Sequence, residues 1–256
     1  MIDPAILEPH ILEPHILEPL ADDAWPARER ARLGGWRLNA SSGQSMRINA
    51  CWPLAAPDRD PEAALDAVEA WFAERNLPPR FKLTDGVVAP VDLAQRLAAR
   101  GYAACKTTLV MLGQLRDVAG GEGDAAIRLS DTPDATFEAV FTATAGNPED
   151  GRERLEALGR IPAPARFARL DIDGVPAAIG ASAIGGGYAG IFGMRTVPDH
   201  RRKGLARRVL RALLAEAKTL GAERAWLQVE ADNAPAIALY ADEGFEPGYR
   251  YSYWVR

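Results

Sequence analysis

The alternation of apolar and polar side chains over Met46-Arg47-Ile48-Asn49-Ala50-Cys51-Trp52 predicts a strand, and Trp36-Arg37-Leu38, just past the Gly34-Gly35 turn, opens an earlier one. From 61 to 76 the period becomes helical: Leu65, Val68, Trp71 and Phe72 share a stripe, and Pro61 suits the first turn. A short strand at 80–84, a helix over 91–100 closed by Gly101, and a strand over 102–112 follow. Beyond a glycine-rich stretch, a strand begins at Ala126, and Ser130-Asp131-Thr132-Pro133 caps a helix over 135–145. A second helix covers 149–158, and strands over 166–172 and 175–184 meet at the Asp173-Gly174 turn. Gly185-Gly186-Gly187 turns the chain into a strand over 188–196. A helix over 205–220 carries Ala206, Val209, Leu210, Leu213, Ala217 and Leu220 on one face, with Arg207, Arg208 and Arg211 on the outer, solvated one. The chain ends with a strand at 225–230, a helix at 234–243 and a strand at 249–255. These elements predict an α/β chain of α+β type, with a mixed, mainly antiparallel sheet flanked by helices.

The order strand, helix, Gly-aromatic, strand occurs twice, around Gly101-Tyr102 and again around Gly244-Phe245. We read the two halves as copies of one fold, over 21–118 and 119–256, with Asp117–Gly123 (DVAGGEG) as the boundary. Residues 1–20 stand apart. Ile6-Leu7-Glu8-Pro9-His10 recurs from Ile11 and, with Leu20 in last place, from Ile16. A proline every fifth residue predicts an extended, polyproline-like tail. Its Ile-Leu pairs could pack on the body or on a neighbouring chain, which leaves a homodimer open.

Composition narrows the class. The 256 residues are 48% hydrophobic and 25% charged, as in a globular protein. A net charge of −5 argues against a general nucleic-acid binder. No apolar run approaches the ~18 residues of a membrane span, and no signal peptide opens the chain. Cys51 and Cys105 lack metal-ligand spacing and read as buried thiols of a cytoplasmic protein. Three histidines make a metal site improbable.

The densest chemical signal is Arg201-Arg202-Lys203-Gly204-Leu205-Ala206. Small residues at 204 and 206 let backbone N–H groups turn inward, and the helix that starts there adds its unpaired N–H groups and dipole, which together suit a phosphate or pyrophosphate. Downstream come Asn233-Ala234-Pro235-Ala236-Ile237-Ala238-Leu239-Tyr240 and Gly244-Phe245. The pair resembles the GNAT superfamily of acetyl-CoA-dependent N-acetyltransferases. Arg201-x-x-Gly204-x-Ala206 matches its Q/R-x-x-G-x-G/A pyrophosphate loop. Asn233-x-x-Ala236-x-x-Leu239-Tyr240-x-x-x-Gly244-Phe245 matches its second signature. The resemblance is strong over the last quarter of the chain and looser over the last half.

It implies the acyl-CoA N-acyltransferase fold and transfer of acetyl from acetyl-CoA to an amine, without metal. The cofactor would lie on Arg201, Arg202, Lys203, Gly204, Leu205 and Ala206, with the backbone of Met194-Arg195-Thr196 pairing its pantetheine arm. A backbone N–H near Met194 would serve as oxyanion donor. Asn233 is carried over as a contact to the arm and Tyr240 as the group that stabilises the leaving thiolate. Where some members place a basic Glu, this chain has Gln228, which accepts no proton. Glu230, on the same strand face, is the alternative, and an exposed salt-bridging Glu explains it equally. The first half has Pro53 and Pro57 but no glycine before its helix at Pro61, so it should hold no pyrophosphate. It would bury an edge of the second half or help shape the acceptor pocket, with Trp25 and Trp36 in the core.

Other readings stay open. A sensor of the same fold would bind acyl-CoA without turnover. A phosphotransferase lacks G-x-x-x-x-G-K-[ST] and an acidic pair for Mg²⁺, and an interaction protein leaves both motifs unexplained. The acceptor, a small molecule or a peptide amine, is not encoded in a readable way in the loops near 145–165 and 185–190. Glu149, Asp150 and Glu153 would suit a cationic one, as would a solvated helix start.

Overall fold

The computed structural model describes residues 8–115 and 124–256; the boundary stretch proposed at 117–123 lies outside them. In chain order the elements are α1 Glu8–Ala24, β1 Glu29–Leu33, β2 Trp36–Ala40, β3 Ala50–Pro53, α2 Pro61–Ala73, β4 Phe81–Thr84, α3 Leu93–Ala99, β5 Ala103–Gln114, β6 Ile127–Ser130, α4 Ala135–Ala143, α5 Pro148–Leu158, β7 Ala165–Ile172, β8 Val175–Gly185, β9 Tyr188–Thr196, α6 Leu205–Thr219, β10 Arg224–Glu230, α7 Ala234–Asp242 and β11 Glu246–Val255. The mixed, mainly antiparallel sheet flanked by helices is as expected.

The described chain forms two compact units that do not follow the sequence halves. One holds the segment ending at Asp22, Pro26–Leu109 and Gly248–Arg256; the other holds Asp23–Trp25 and Val110–Pro247. Of the two strands that close the repeated pattern, β5 is therefore divided between the units at Leu109, and β11 joins the first unit from Gly248 on. In the first unit the strands run β1-β2-β3-β4-β11-β5, and β11 lies antiparallel on β4 with Tyr251 opposite Thr84 and Trp254 opposite Phe81. One core gathers Trp36, Leu38, Cys51, Phe81 and Leu83 from the strands with Leu65, Val68 and Phe72 from α2 and Leu93 and Leu97 from α3. Cys51 is buried, whereas Cys105 is only half-buried.

The proline-repeat segment departs from expectation. It is not extended: from Glu8 it is helix, with Pro14 and Pro19 inside. A proline inside a helix costs about 3 kcal/mol through a lost N–H and a clash with the preceding turn, and tertiary contacts offset that cost. Leu17, Glu18, Ala21 and Asp22, at helical spacing, are all buried. Glu18 pairs with the fully buried Lys82 and also accepts from Thr84 Oγ1 at 3.2 Å and Tyr249 Oη at 2.9 Å. Asp22 accepts from Arg37 at 2.8 Å and Asn39 at 2.7 Å. Side chains also reach backbone carbonyls of the helix, Arg37 to Pro19 at 3.5 Å and Arg30 to Asp22, the latter in the last turn.

The strand expected over 46–52 is shorter. Met46–Ile48 form a 3-10 turn and pairing starts at Ala50. The buried Asn49 is the cause: its Oδ1 accepts from Ser41 and Gly43 backbone N–H at 2.7 and 3.0 Å, and its Nδ2 donates to Ser45 O at 2.8 Å. Local side chain–backbone bonds here displace the ladder. The charged edge strand β1, which pairs with β2 in a hairpin, is an addition; its run Glu29-Arg30-Ala31-Arg32-Leu33 has little apolar signal.

In the second unit the order is β10-β9-β8-β7-β6. The buried face of α6, through Leu205, Val209, Leu210, Leu213, Leu214 and Ala217, packs across β7, β8 and β9. Trp25 belongs to this unit and tilts against Phe192, ring centroids 5.4 Å apart.

Candidate active site

The site grows from the place where two parallel strands part. β9 and β10 pair only over Tyr188–Ile191 against Arg224–Leu227. Beyond that, residues 192–196 and 228–230 have no ladder with one another among the described residues, so the end of β9 keeps unpaired backbone groups toward the gap. On its other side β9 follows β8 with one extra residue, since Ala181 faces Phe192 and Ile179 faces Arg195. Gly193 supplies this bulge at φ +59, and a Cβ there would lie 3.2 Å from the Phe141 ring. A bulge re-aims the backbone that follows, here that of Met194 and Arg195.

β9 leads through the 3-10 turn Pro198–His200 into the basic loop. Arg202 (φ +60) and Gly204 (φ +76) both take the left-handed conformation, which curls successive N–H groups into a concave nest. The first backbone bond of α6 runs from Arg208 N–H to Gly204 O, 3.2 Å. The N–H groups of Leu205, Ala206 and Arg207 therefore have no acceptor within the helix, and no side chain caps it. By contrast Asp60, Asp134, Asn147 and Asn233 cap α2, α4, α5 and α7 with their side chains. A Cβ placed on Gly204 would meet nothing within 4 Å. The residues thus fit a bound pyrophosphate: donors converge on open space.

Charge is arranged to match. Arg201, Arg202 and Lys203 are exposed and have no carboxylate within salt-bridge reach among the described residues; Arg201 Nε donates to Thr196 O at 3.4 Å. The arginines of α6 face outward as expected, Arg211 exposed and Arg207 and Arg208 half-buried, and each is also paired. Arg208 grips Asp124 through two bonds of 2.6 and 2.8 Å. Arg207 and Arg211 share Glu243, and Arg207 also reaches Asp242. The cations before the helix thus have no carboxylate partner among the described residues, whereas Arg207, Arg208 and Arg211 within it do.

Tyr240, on the last turn of α7, is 8% exposed and edge-on to Phe245, ring centroids 6.2 Å apart. Burial pushes its phenol up from its ordinary pKa and the Arg195 charge pulls it part of the way back, so it is a neutral donor at neutral pH. Its hydroxyl has no hydrogen-bond partner among the described residues. Asn233 caps α7, accepting from Ala236 N–H at 3.3 Å. Glu230 ends β10 as an exposed residue, its carbonyl accepting Asn233 N–H at 3.0 Å. Of the α5 acids, Asp150 is paired with Arg154 at 2.7 Å, Glu153 is buried and engaged within the fold, and Glu149 is exposed.

The Arg195 side chain is the feature that sequence reasoning passed over, having used only its backbone. Its signal was a lone cation in the apolar run Gly190-Ile191-Phe192-Gly193-Met194. The guanidinium stands 5.1 Å from the Phe141 ring centroid, and its buried Nε has no hydrogen-bond partner. Burial, and then the neighbouring Arg154 charge, lower its pKa from the usual guanidinium range. No group of three or more His, Cys, Asp or Glu is placed to hold a metal, and no helix is long and apolar enough to cross a membrane, both among the described residues.

This architecture is that of the GCN5-related N-acetyltransferases. A member from Kribbella flavida superposes with a TM-score of 0.68 at 21% identity, over 94% of each chain. A tandem GNAT protein from the clavulanic acid biosynthesis pathway does so at 0.60 and 18% identity, over 94% of this chain and 87% of that one. The chain belongs to the family described as Probable histone acetyltransferase Rv0428c C-terminal, which it matches over residues 14–254. An uncharacterized N-acetyltransferase YobR of Bacillus subtilis is 28% identical over 93% of this chain and 96% of its own. The probable histone acetyltransferase Rv0428c of Mycobacterium tuberculosis is 29% identical over 84% of this chain, which spans 65% of that longer protein. The chain is accordingly an N-acetyltransferase of GNAT type that transfers acetyl to an amine.

Proposed function

We propose that the second unit binds acetyl-CoA and delivers its acetyl group to a primary amine in the gap between β9 and β10. Acetyl-CoA supplies an acyl group already activated as a thioester. The N–H groups from Arg202 to Ala206 hold the pyrophosphate, and Arg201, Arg202 and Lys203 complement its charge. The free edge of Met194, Arg195 and Thr196 orients the pantetheine arm as a neighbouring strand would, and a backbone N–H near Met194 faces the acyl oxygen as it gains charge. Asn233 keeps its amide nitrogen for the same arm. Tyr240 donates its hydroxyl hydrogen toward the departing sulfur. Glu230 takes the amine's proton through water. In this reading the first unit holds no cofactor and has a structural role, and the protein works in the cytoplasm; whether it pairs as a homodimer is a further test. The observation that carries the reading is the uncapped N-terminus of α6 beneath a left-handed Arg202–Gly204 loop with three unpaired cations.

The test is calorimetric titration with acetyl-CoA, followed by thiol release on a panel of small and peptide amines. Binding with amine-dependent release supports the reading. Binding without release on every amine points to a sensor, and absence of binding removes the site.

A further inference from the structure

Every other arginine on a strand or helix of α5 through α6, apart from Arg152, has a carboxylate within salt-bridge distance: Arg154, Arg166, Arg169, Arg207, Arg208 and Arg211. Arg195 does not, although it is half-buried, and its Nε–H is buried with no acceptor. A sheltered cation without a partner is costly, and a fold keeps one where a ligand completes it. Its surroundings say which ligand. The ring of Phe141 lies beside the guanidinium, and Tyr240, Asp150 and Arg154 are the charged or titratable groups close enough to act on it. Asp150 is already neutralised by Arg154. The balance at this spot is one positive charge in excess, with a planar fork of donors that suits a carboxylate held through two bonds. Tyr240 is the residue assigned above to the thioester sulfur, so a carboxylate on Arg195 brings an amine a few bonds away to the reacting group.

We propose that Arg195 receives a carboxylate of the acceptor, so that the acceptors of this enzyme are small amines carrying a carboxylate, of the amino-acid type. The proposal rests on the acetyltransferase reading of the β9–β10 gap. It runs against the cationic acceptor that Glu149, Asp150 and Glu153 suggested, because two of those acids are engaged within the fold.

The experiment compares glycine, leucine, glutamate and γ-aminobutyrate with their carboxamides as acceptors of the full chain. Two readings are taken: thiol release, and calorimetric binding to protein saturated with CoA. The same series is run on Arg195→Gln and Arg195→Lys, with acetyl-CoA affinity measured for each protein. The expected result is a preference for at least one acid over its amide of roughly 10- to 100-fold in kcat/KM. That preference should disappear in Arg195→Gln, mostly through KM, and return in part in Arg195→Lys. Both substitutions keep the backbone assigned to the pantetheine arm, and the acetyl-CoA affinity of each variant separates loss of that arm's contact from loss of the carboxylate's. The proposal is overturned if none of the acids binds the CoA-loaded protein, if amides serve as well as acids, or if Arg195→Gln weakens acid and amide alike. Failure of the acetyltransferase reading is a separate outcome: the wild-type chain would then not bind acetyl-CoA at all.

Discussion

Lys82 and Glu18 are both fully buried and paired, with the Lys82 ammonium 3.6 Å from the Trp52 ring centroid and 3.9 Å from that of Tyr251. Each charge is tolerable only because the other is present, and Thr84 and Tyr249 satisfy the remaining carboxylate valence. Lys82→Met is therefore expected to destabilise by about 3–5 kcal/mol, read from denaturant midpoints, with Glu18→Gln added to Lys82→Met recovering much of the loss. If the double variant is no better than the single, the pair is not the source. At the active site, Tyr240→Phe keeps the ring contact with Phe245 and removes only the hydroxyl. It is expected to lower kcat by roughly 10²-fold or more with acetyl-CoA affinity nearly unchanged; unchanged kcat would exclude Tyr240 from proton donation. Tyr240 was legible in the sequence because a motif fixed its spacing. The Arg195 side chain was not, because whether an arginine meets a carboxylate depends on what α4 and α5 bring opposite it.

Two elements behave against their local rules. Helix α1 contains Pro14 and Pro19, and the sequence argument for an extended tail was sound for an isolated segment. It failed because Leu17 and Ala21 are buried and Glu18 and Asp22 find partners far along the chain, on β2, β4 and β11. Since Pro19 still lacks an N–H for the turn before it, Pro19→Ala is expected to raise the melting temperature, with up to about 3 kcal/mol recovered; a fall would mean that the bend itself is needed. Helix α6 lacks a cap where four others have one. Gly204→Val forces a β-branched residue to φ +76 and puts methyl groups where the anion should lie. Acetyl-CoA affinity should fall by at least about 10-fold, measured by calorimetry, with the fold retained by circular dichroism.

Over the whole molecule, the repeated pattern was visible along the chain but its exchange of strands was not. Gly248–Arg256 belongs with the first unit, where Tyr251 and Tyr253 are buried. Residues 110–114 belong with the second. Chains cut to 1–118 or to 119–256 each lack a strand of their own compact unit and are expected not to fold cooperatively, while co-expression of the two pieces should recover soluble, acetyl-CoA-binding protein. Ending the chain at Pro247 should lower stability by several kcal/mol, since it removes the β4–β11 ladder and two buried tyrosines. Independent, cooperative folding of either half would contradict the strand exchange.

By itself the sequence determined what depends on neighbours close in the chain. Periodicity set most helices and strands, Gly101 and Gly244 set two helix ends, and the Arg201–Ala206 and Asn233–Phe245 spacings set the family resemblance. Only the tertiary structure decided what depends on distant partners: the helical form of the proline repeat, the strand that the first unit takes from the far end of the chain, the paired state of Arg207, Arg208 and Arg211, and the unpaired state of Arg195. The physical reason is that a backbone conformation is chosen largely by forces within a few residues, whereas the free energy of a buried charge is set by whichever group the fold places opposite it.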